Sequence, residues 1–506
     1  MVKFQTVSLS VLVYFISVAK SDDSVARQNV LLIVADDAGL EMGAYNNRAI
    51  KTPNLDGLAS KGTVFNNAFA SVSSCSPSRS AILTGKPNHW NGMYGLHNGV
   101  NHFDSFDKVK SLPSYLLKHQ IRTGIIGKKH VGPSSAYKFD YEQTEENHSI
   151  LQVGRNITFI KLLVREFLSQ TEAQPFFLYV GFHDPHRCGH THPQFGNFCE
   201  KFGNGESKNG LIPDWLPEYY DPESVQVPYY TQDTPAARED IAAQYATISR
   251  LDQGVGLVLN ELDRAGFAEN TLILYTSDNG PPFPAGRTNL YDSGIAVPLI
   301  AYSPADSSSH GQENGVLISH LDILPIVLDW FQIHPKPKQS LSPVSISGIL
   351  NGDFVKKNRS VYASHSLHEV TMSYPMRAVR TKQFKLIHNL NYKTPFPIDQ
   401  DFYLSPSFQD ILNRTAHQLP LPWHRSLRSY YYRPEWELFD ISSDKEEINN
   451  LAYNTSYQHV FSTLKNDLLS WQNATSDPWI CGLGAVLQNS GNFKHNPQCL
   501  SLYNGM

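Results

Sequence analysis

One short stretch of the sequence combines a cysteine with the features of an anion site. Cys75 precedes Pro77, and residues 76–84 (S-P-S-R-S-A-I-L-T) predict a helix with proline in its first turn. Cys75 would then lie at a helix N-terminus, where free N–H groups and the helix dipole favour an anion. Arg79 follows one turn later, and its guanidinium can reach back to bind an oxyanion. A lone cysteine is ordinarily a core residue or a disulfide partner, and these residues alone leave that alternative open.

Oxygen-bearing side chains follow two segments that predict buried strands, 29–35 (N-V-L-L-I-V-A) and 271–276 (T-L-I-L-Y-T). These side chains belong to Asp36, Asp37, Asp278 and Asn279. Their oxygens are the ligands that a hard cation such as Ca²⁺ or Mg²⁺ prefers, and no histidine and cysteine spacing suggests zinc. Taken alone, such aspartates more often cap a helix or form a turn.

Cations and histidines follow two further short apolar runs. Lys128 and His130 come after the run 124–127, and His183 and His186 come after the run 176–181. Because the carboxyl ends of parallel strands meet at one edge of an open sheet, we expect four distant segments to converge on one site. A histidine with a purely structural role is the alternative for whichever of His183 and His186 lies outside that site.

Strand patterns and helix patterns alternate along this part of the sequence. Helical patterns cover 54–61, 241–265 and 320–331. This alternation predicts the α/β class, with a mostly parallel sheet between helices.

The pattern changes after Tyr374. Strand patterns cover 376–379, 384–387 and 436–439, and a helical pattern covers 459–471. We therefore expect a large domain over 22–374 and a smaller C-terminal α+β domain with an antiparallel sheet over 375–506.

The composition is that of an ordinary globular protein. Of the 506 residues, 41% are hydrophobic and 18% are charged, which excludes a disordered chain and permits one large core with a smaller appended domain. The formal net charge is −5, and we expect no nucleic acid among the partners. Twenty histidines raise the charge on acidification, which suits an anionic substrate in an acidic compartment, although scattered surface histidines fit equally well.

The N-terminus predicts export. Lys3 precedes a mostly apolar run, and the small residues Ala19 and Ser21 offer cleavage points, so we interpret residues 1–21 as a signal peptide. No later stretch is apolar enough to predict a membrane span. Six N-x-S/T sequons agree with passage through the secretory pathway. They lie at Asn147, Asn156, Asn358, Asn413, Asn454 and Asn473.

Five cysteines are too few for a disulfide scaffold in so long a chain, but an exported protein is expected to pair most of them. Cys188 and Cys199 could close a short loop, and Cys481 and Cys499 could close another near the C-terminus. Cys75 would then be left unpaired.

The stretch 73–85 (S-S-C-S-P-S-R-S-A-I-L-T-G) resembles the signature of the type I sulfatases over its whole length. The resemblance implies an alkaline-phosphatase-like fold. It also implies that Cys75 is oxidised to formylglycine by the formylglycine-generating enzyme during secretion. The hydrated aldehyde would then be the nucleophile that attacks sulfur.

The same resemblance implies roles for the other residues. The catalytic set would be Cys75, Arg79, Lys128, His130, His186 and Arg287. One Ca²⁺ would be bound by Asp36, Asp37, residue 75, Asp278 and Asn279. Two departures from the family pattern stand out: Gln120 and Ile121 replace a usual glycine and an aromatic residue or valine, and Arg287 replaces a lysine of many sulfatases.

Six flanking segments resemble a narrower branch of the family, the sulfamidases. They are 123–133, 182–190, 198–207, 277–291, 368–377 and 395–403. This resemblance implies hydrolysis of the N-sulfate on terminal glucosamine of heparan sulfate, a lysosomal location and a homodimer. As sugar-binding residues we predict Asp184, Arg287, His368 and Glu369.

Three other functions stay open. The first is an O-sulfatase that acts on another glycosaminoglycan or an aryl sulfate. The second is a metal-dependent phosphodiesterase or phosphatase, although such enzymes usually carry serine or threonine as nucleophile and need more metal ligands than this sequence offers. The third is a secreted glycan-binding protein without catalytic activity.

Overall fold

A computed structural model describes residues 29–171, 174–189, 195–304, 310–334, 348 and 359–503. The predicted signal peptide and the sequon at Asn358 lie outside the described residues.

The strands follow the buried apolar runs of the sequence. In chain order they are β1 Asn29–Asp36, β2 Thr63–Phe65, β3 Ala68–Phe69, β4 Arg122–Gly127, β5 Tyr141–Thr144, β6 Phe176–Pro185, β7 Thr271–Ser277, β8 Leu299–Tyr302, β9 Gln312–Asn314, β10 Ile318–Ser319, β11 Val361–His365, β12 Met376–Arg380, β13 Phe384–Asn389, β14 Trp436–Asp440, β15 Ala485–Gln488 and β16 Gln498–Ser501.

The helices follow the amphipathic segments between the strands. They are α1 Pro53–Lys61, α2 Cys75–Thr84, α3 Asn88–Asn91, α4 Leu112–Leu117, α5 Ile150–Val153, α6 Ile157–Ser169, α7 Pro235–Arg264, α8 Asp292–Ile295, α9 Ile323–Trp330, α10 Gln400–Leu404, α11 Pro406–Ala416, α12 Leu427–Tyr431 and α13 Gln458–Ala474. Short 3₁₀ turns occur at Gly43–Tyr45, Pro222–Ser224, Ala268–Asn270, His320–Asp322, Thr455–Tyr457 and Gly491–Phe493.

The main sheet has eight strands in the order β5-β4-β6-β1-β7-β8-β2-β9. The central strand β1 pairs in parallel with β6 and β7, and Leu32 lies opposite Tyr179 and Leu274. Strand β4 pairs in parallel with β5 and β6, whereas β8 runs antiparallel to β7 and β2. The prediction of a mostly parallel sheet is confirmed. The carboxyl ends of β4, β6, β1 and β7 consequently meet at one edge.

Helices cover both faces of this sheet. On one face Leu31 and Ile33 of β1 pack in a core with α1, α6 and α7. On the other face Val30 and Leu32 pack in a second core with α2, α4 and α9. A strand with apolar neighbours on both sides needs a continuous apolar run rather than alternation, which explains the 29–35 pattern.

A second sheet lies toward the C-terminus, where β11, β12, β13 and β14 pair antiparallel in that order. Helix α13 packs on it through Leu464 and Leu468. The prediction of an antiparallel α+β unit is confirmed. Strand β11 precedes Tyr374, so the chain enters this sheet before the predicted domain boundary.

The cysteines pair as the sequence suggested. Cys188 is bonded to Cys199, and Cys481 is bonded to Cys499 across the hairpin of β15 and β16. Cys75 is a free, buried cysteine.

Most sequon asparagines of the described chain are at the surface. The exposed ones are Asn147, Asn413, Asn454 and Asn473. Asn156 is half-buried, and its side chain caps α6 by accepting a hydrogen bond from the backbone N–H of Phe159. Among the helices described, none is both long and apolar enough to cross a membrane.

Candidate active site

Helix α2 carries the cysteine at its first residue. The helix begins at Cys75, just ahead of the predicted 76–84 helix, and Ser78 N donates the first helical hydrogen bond to Ser74 O at 2.9 Å. All ten residues of α2 are buried, so the helix passes through the interior against the main sheet. Cys75 itself is 1% exposed.

The Cys75 thiol is poorly suited to act unmodified. Burial raises its pKa well above the ordinary value, even though Lys128 opposes the shift. Since the thiolate and not the thiol is the nucleophile, this environment does not activate the cysteine. The sulfur does lie among oxygens: one ligand atom each of Cys75, Asp36 and Asp278 lie within 4.8 Å of one another.

The four predicted metal ligands converge on this point. Asp36 ends β1, Asp37 follows it, and the backbone N–H of Asp37 donates to Asp278 Oδ1 at 3.1 Å after β7. Asn279 Nδ2 donates to Asp37 Oδ1 at 2.7 Å. All four side chains are fully buried.

Two buried oxygens of this group bear on whether it could hold a metal ion. Asp36 Oδ1 and Asn279 Oδ1 accept no hydrogen bond from any described residue. Burial raises the pKa of Asp278 to about 6, although Arg79 opposes the shift. Carboxylates crowded together in this way stay ionised only beside a compensating cation. The all-oxygen donors fit a hard cation such as Ca²⁺ or Mg²⁺.

Arg79 connects the helix with the ends of three strands. Its Nε donates to Asp278 Oδ2 at 2.9 Å, and its Nη1 donates to Lys128 O at 2.9 Å and to Tyr179 Oη at 3.1 Å. Its Nη2 lies 3.6 Å from Asp36 Oδ1. The guanidinium is therefore fixed from four sides, one helical turn from Cys75.

Lys128 follows β4 and forms a buried ion pair with Asp36. Burial alone would raise the pKa of Asp36, but the charges of Lys128 and Arg79 hold it well below its usual range. His130 lies nearby with its Nδ1 buried and without a hydrogen-bond partner in the described chain. Burial and the charge of Lys128 lower the pKa of His130 well below its ordinary value, so the ring is neutral.

Both histidines after the β6 run lie in the site. His183 Nδ1 lies 2.8 Å from Glu145 Oε1 and 3.8 Å from Asp36 Oδ2. His186 Nδ1 is 2.7 Å from Arg187 O, and its Nε2 is 3.7 Å from Asp37 Oδ2. The rings are 5.0 Å apart, so neither histidine is remote from the cluster.

Arg287 bridges the metal-ligand group and the C-terminal part of the chain. Its Nη1 contacts Asp37 and donates to His186 Nε2 at 2.9 Å. Its Nη2 donates to Asp399 Oδ2 at 2.8 Å and to Asp401 Oδ1 at 2.6 Å. A lysine, with one ammonium nitrogen, could not reproduce this two-sided contact.

Strained backbone marks three places in the site. Asp37, His130 and Thr288 have φ values of 62°, 54° and 71°. Positive φ is unfavourable for residues with a side chain, most of all for β-branched threonine. Such conformations persist where the surrounding structure holds them, and they concentrate at functional sites.

Asp184 does not take the predicted sugar-binding position. Its carboxylate is buried between Arg155 and Arg250, and Arg250 donates to Oδ2 from Nε at 2.7 Å and to Oδ1 from Nη2 at 3.0 Å. Both oxygens are engaged by guanidinium groups, so Asp184 secures the segment after β6 and is not free for a ligand.

The other two predicted sugar-binding residues lie after β11. Glu369 is half-buried, and no described side chain pairs with its carboxylate. Burial and the nearby Asp399 raise the pKa of Glu369, while His368 opposes the shift. His368 is 3% exposed, and both its ring nitrogens have partners within the protein.

Several residues that belong to the cluster were not predicted from the sequence. Asp399 and Asp401 lie in the segment 395–403, which resembled the sulfamidase branch but suggested no role. Their spacing of two residues around a helix start was the available signal. Tyr179 lay inside an apolar run, where nothing marked its contact with Arg79.

Comparisons with known proteins identify the family of the chain. A family model described as Sulfatase matches residues 28–333. Human N-sulphoglucosamine sulphohydrolase is 56% identical over 483 residues, which cover 94% of this chain and 95% of that protein. An ulvan-active sulfatase of Formosa agariphila is 28% identical over 492 residues, 89% of this chain and 76% of that protein. One solved structure, of a protein in complex with its substrate D-glucosamine-2-N,6-O-disulfate, aligns with a TM-score of 0.64 at 20% identity, over 89% of this chain and 98% of that chain.

Proposed function

Because the chain belongs to the sulfatase family, we propose that it hydrolyses the N-sulfate of terminal N-sulfoglucosamine in heparan sulfate, releasing sulfate and a free amine. The observation that carries this proposal is the 56% identity to human N-sulphoglucosamine sulphohydrolase along 94% of the chain. The side chains that converge near Cys75 support it, since hydrogen bonds and ion pairs join Asp36, Asp37, Asp278, Asn279, Arg79 and Lys128.

In this proposal a calcium ion is held by the oxygens of Asp36, Asp37, Asp278 and Asn279, together with the group at position 75. When bound, the ion offsets negative charge on the sulfate and polarises its oxygen. The two buried oxygens without hydrogen bonds, Asp36 Oδ1 and Asn279 Oδ1, are the atoms that most need such a ligand.

Position 75 is proposed to carry formylglycine, whose hydrate supplies the hydroxyl nucleophile that the buried thiol does not. The Cys75 Sγ atom stands where an oxygen of that group would lie. Its place at the N-terminus of α2 favours an anion. Arg79 and Lys128 are the cations beside the ends of β1 and β4, and we propose that they stabilise the negative charge on the transferred sulfonyl group.

Proton transfer to the leaving nitrogen is assigned to His186 or Lys128. His186 Nδ1 donates to Arg187 O, and its Nε2 accepts from Arg287. His186 therefore has to take up a proton at Nε2 before it can act as an acid, whereas Lys128 already carries protons on Nζ. His130 is neutral, and its Nδ1 has no hydrogen-bond partner in the described chain. We assign it as the base that removes the proton of the remaining hydroxyl at position 75, after which the aldehyde re-forms and sulfate leaves.

Sugar recognition is assigned to Glu369 and to Arg287, whose Nε has no hydrogen-bond partner among the described residues. Glu369 is half-buried beside the cluster, and its carboxylate can accept hydrogen bonds from sugar hydroxyls. Asp184 is not proposed as a sugar-binding residue, because two arginines bind its carboxylate oxygens.

The route to the site of action is part of the proposal. The signal-peptide pattern and the exposed sequons support synthesis in the secretory pathway, maturation by the formylglycine-generating enzyme and delivery to the lysosome. A homodimer is proposed from the family resemblance.

The test uses protein secreted from eukaryotic cells. Mass spectrometry of the peptide across Cys75, with hydrazide trapping, reports the aldehyde. Sulfate release is then measured from N-sulfoglucosamine and from glucosamine 6-O-sulfate in parallel. We expect an aldehyde and release from the N-sulfated sugar at least 100-fold faster.

Two control variants make the assay decisive. Cys75→Ala removes the modified side chain and should abolish release, whereas Asp233→Asn, in an exposed ion pair with Arg238, should leave it unchanged. Faster release from the 6-O-sulfate would establish an O-sulfatase instead. An unmodified thiol together with retained binding to heparan sulfate fragments would establish the glycan-binding alternative.

A further inference from the structure

A chain of buried hydrogen bonds lies beside the nucleophile position. Ser74 Oγ is 2.8 Å from His368 Nδ1, and His368 Nε2 is 2.6 Å from Asp399 Oδ2. The three residues are 0%, 3% and 3% exposed. The arrangement joins the residue before Cys75 to a loop after β11 and to the start of α10.

The backbone holds His368 in place from the other side. Leu96 N donates to His368 O at 2.9 Å. Gly95 permits this approach, because a Cβ atom on it would lie 2.7 Å from His368 O and 2.7 Å from the Phe103 ring. Contacts therefore hold the His368 ring at both nitrogens, and a backbone hydrogen bond holds the residue at its carbonyl oxygen.

The Ser74 side chain does not cap the helix, which is the usual role of a serine at this position. Ser74 is the N-cap residue of α2, yet its side chain caps no helix N–H. Serine at this position ordinarily accepts a hydrogen bond from the second or third helical residue. Here the third residue is Pro77, which has no N–H, and Ser74 Oγ pairs with His368 instead.

Asp399 continues the chain to Arg287. Its Oδ2 accepts from Arg287 Nη2 at 2.8 Å, and the same guanidinium contacts Asp37 through Nη1. One continuous set of contacts thus joins both sides of the site, from Ser74 through His368 and Asp399 to Arg287.

We propose that His368 and Asp399 are positioning residues that fix Ser74, and with it residue 75, relative to Arg287. This replaces the predicted sugar-binding role of His368, whose ring nitrogens are both committed within the protein. The inference deepens the proposed function and rests on it for its kinetic readout. Residues that orient a reacting group through hydrogen bonds commonly change activity 10- to 100-fold when altered.

The kinetic test separates positioning from sugar binding. His368→Ala and Asp399→Asn are compared with Glu369→Gln on N-sulfoglucosamine, with kcat divided by the aldehyde content at position 75. For the first two we expect kcat to fall at least 10-fold while KM changes less than 3-fold. For Glu369→Gln we expect KM to rise at least 5-fold with a smaller change in kcat. A rise in KM at unchanged kcat for His368→Ala would overturn the proposal in favour of sugar binding.

A matched variant tests for a merely structural effect. His365 is 1% exposed and lies on the same segment, and among the described residues its side chain forms no hydrogen bond with Ser74, His368 or Asp399, so His365→Gln should keep kcat within 2-fold even if it lowers Tm. His368→Asn, whose amide can replace Nδ1 toward Ser74, should recover part of the kcat lost in His368→Ala. Equal kcat losses in His365→Gln and His368→Ala, or no recovery in His368→Asn, would contradict positioning.

A crystal structure of Asp399→Asn gives a readout that does not depend on the substrate. We expect the His368 ring to rotate and Ser74 Oγ to lose its partner, with Arg287 shifted from Asp37. If Ser74, His368 and Arg287 stay in place, the positioning role is wrong, whatever the enzyme hydrolyses. If they move while the wild type shows no sulfamidase activity, the positioning role is supported and the proposed substrate is wrong.

Discussion

Arg377 and Asp477 form a two-point ion pair with no solvent exposure. Arg377 Nε donates to Asp477 Oδ2 at 2.5 Å, and Nη2 donates to Oδ1 at 2.8 Å. The remaining nitrogen of Arg377 donates to His365 O at 3.0 Å. The pair joins β12 of the small sheet to the segment after α13, so it holds the C-terminal segment on the sheet next to the chain that leads to His368.

Breaking this pair should destabilise the protein strongly. Asp477→Asn leaves the buried charge of Arg377 without a full partner, and loss of one member of a buried pair costs about 3 to 5 kcal/mol. Equilibrium urea unfolding measures the change. The exposed pair of Arg238 and Asp233 provides the matched control, because Asp233→Asn should cost less than about 1 kcal/mol. Equal losses in the two variants would contradict the role assigned to the buried pair.

The same pair should make stability depend on acid pH. Burial would raise the pKa of Asp477, but Arg377 outweighs it and holds the pKa well below its usual range. Since the native pKa lies below that of the unfolded chain, the stabilisation is fully present above the ordinary aspartate pKa of about 4 and is lost as pH falls through the native value. The stability difference between wild type and Asp477→Asn should therefore shrink as the pH falls from about 5 to about 2. A constant difference across that range would show that the carboxylate charge contributes nothing.

Local sequence was enough to predict the edge of the sheet where the site lies. The run 29–35 became β1, and Asp36 and Asp37 emerged at its carboxyl end as expected. This worked because strand periodicity, strand ends and parallel pairing depend on short segments. The same logic correctly brought Lys128 and Asp278 to that edge.

The parts that sequence could not predict depend on tertiary contacts. The side chains of the neighbours His183 and Asp184 point to different partners, and the direction of Asp184 is fixed by Arg155 and Arg250 from distant segments. Asp399 lies far along the chain from the other site residues, between β13 and β14 of the second sheet. No local pattern carries such a contact.

Gly127 should be essential for placing Lys128. Its φ is 88°, and a Cβ atom would lie 2.0 Å from Gly181 O, the acceptor for Lys128 N. Gly127→Ala should therefore cost more than about 2 kcal/mol and shift Lys128 away from Asp36, with kcat falling at least 10-fold. Gly57→Ala in α1 is the control, since nothing lies within 4 Å of its added Cβ and a helical alanine should stabilise by about 0.5 to 1 kcal/mol. Urea unfolding and kcat together test both variants, and an unchanged kcat in Gly127→Ala would refute the constraint.

Calcium removal should destabilise the fold because two of the ligand oxygens accept no hydrogen bond within the described chain. Because Asp36 Oδ1 and Asn279 Oδ1 accept no hydrogen bond in the described chain and three carboxylates lie close together, a bound cation would stabilise the native state alone. At free calcium 100-fold above Kd the gain is about 2.7 kcal/mol, so chelation should lower Tm and added calcium should restore it. Asn279→Ala should lose most of this calcium-dependent shift, while Asp233→Asn should retain it. Because Mg²⁺ demands near-ideal octahedral geometry and gives up its water ligands reluctantly, magnesium should restore less of the shift. A Tm that is indifferent to chelation and to calcium would mean that Arg79, Lys128 and Arg287 alone balance the carboxylates.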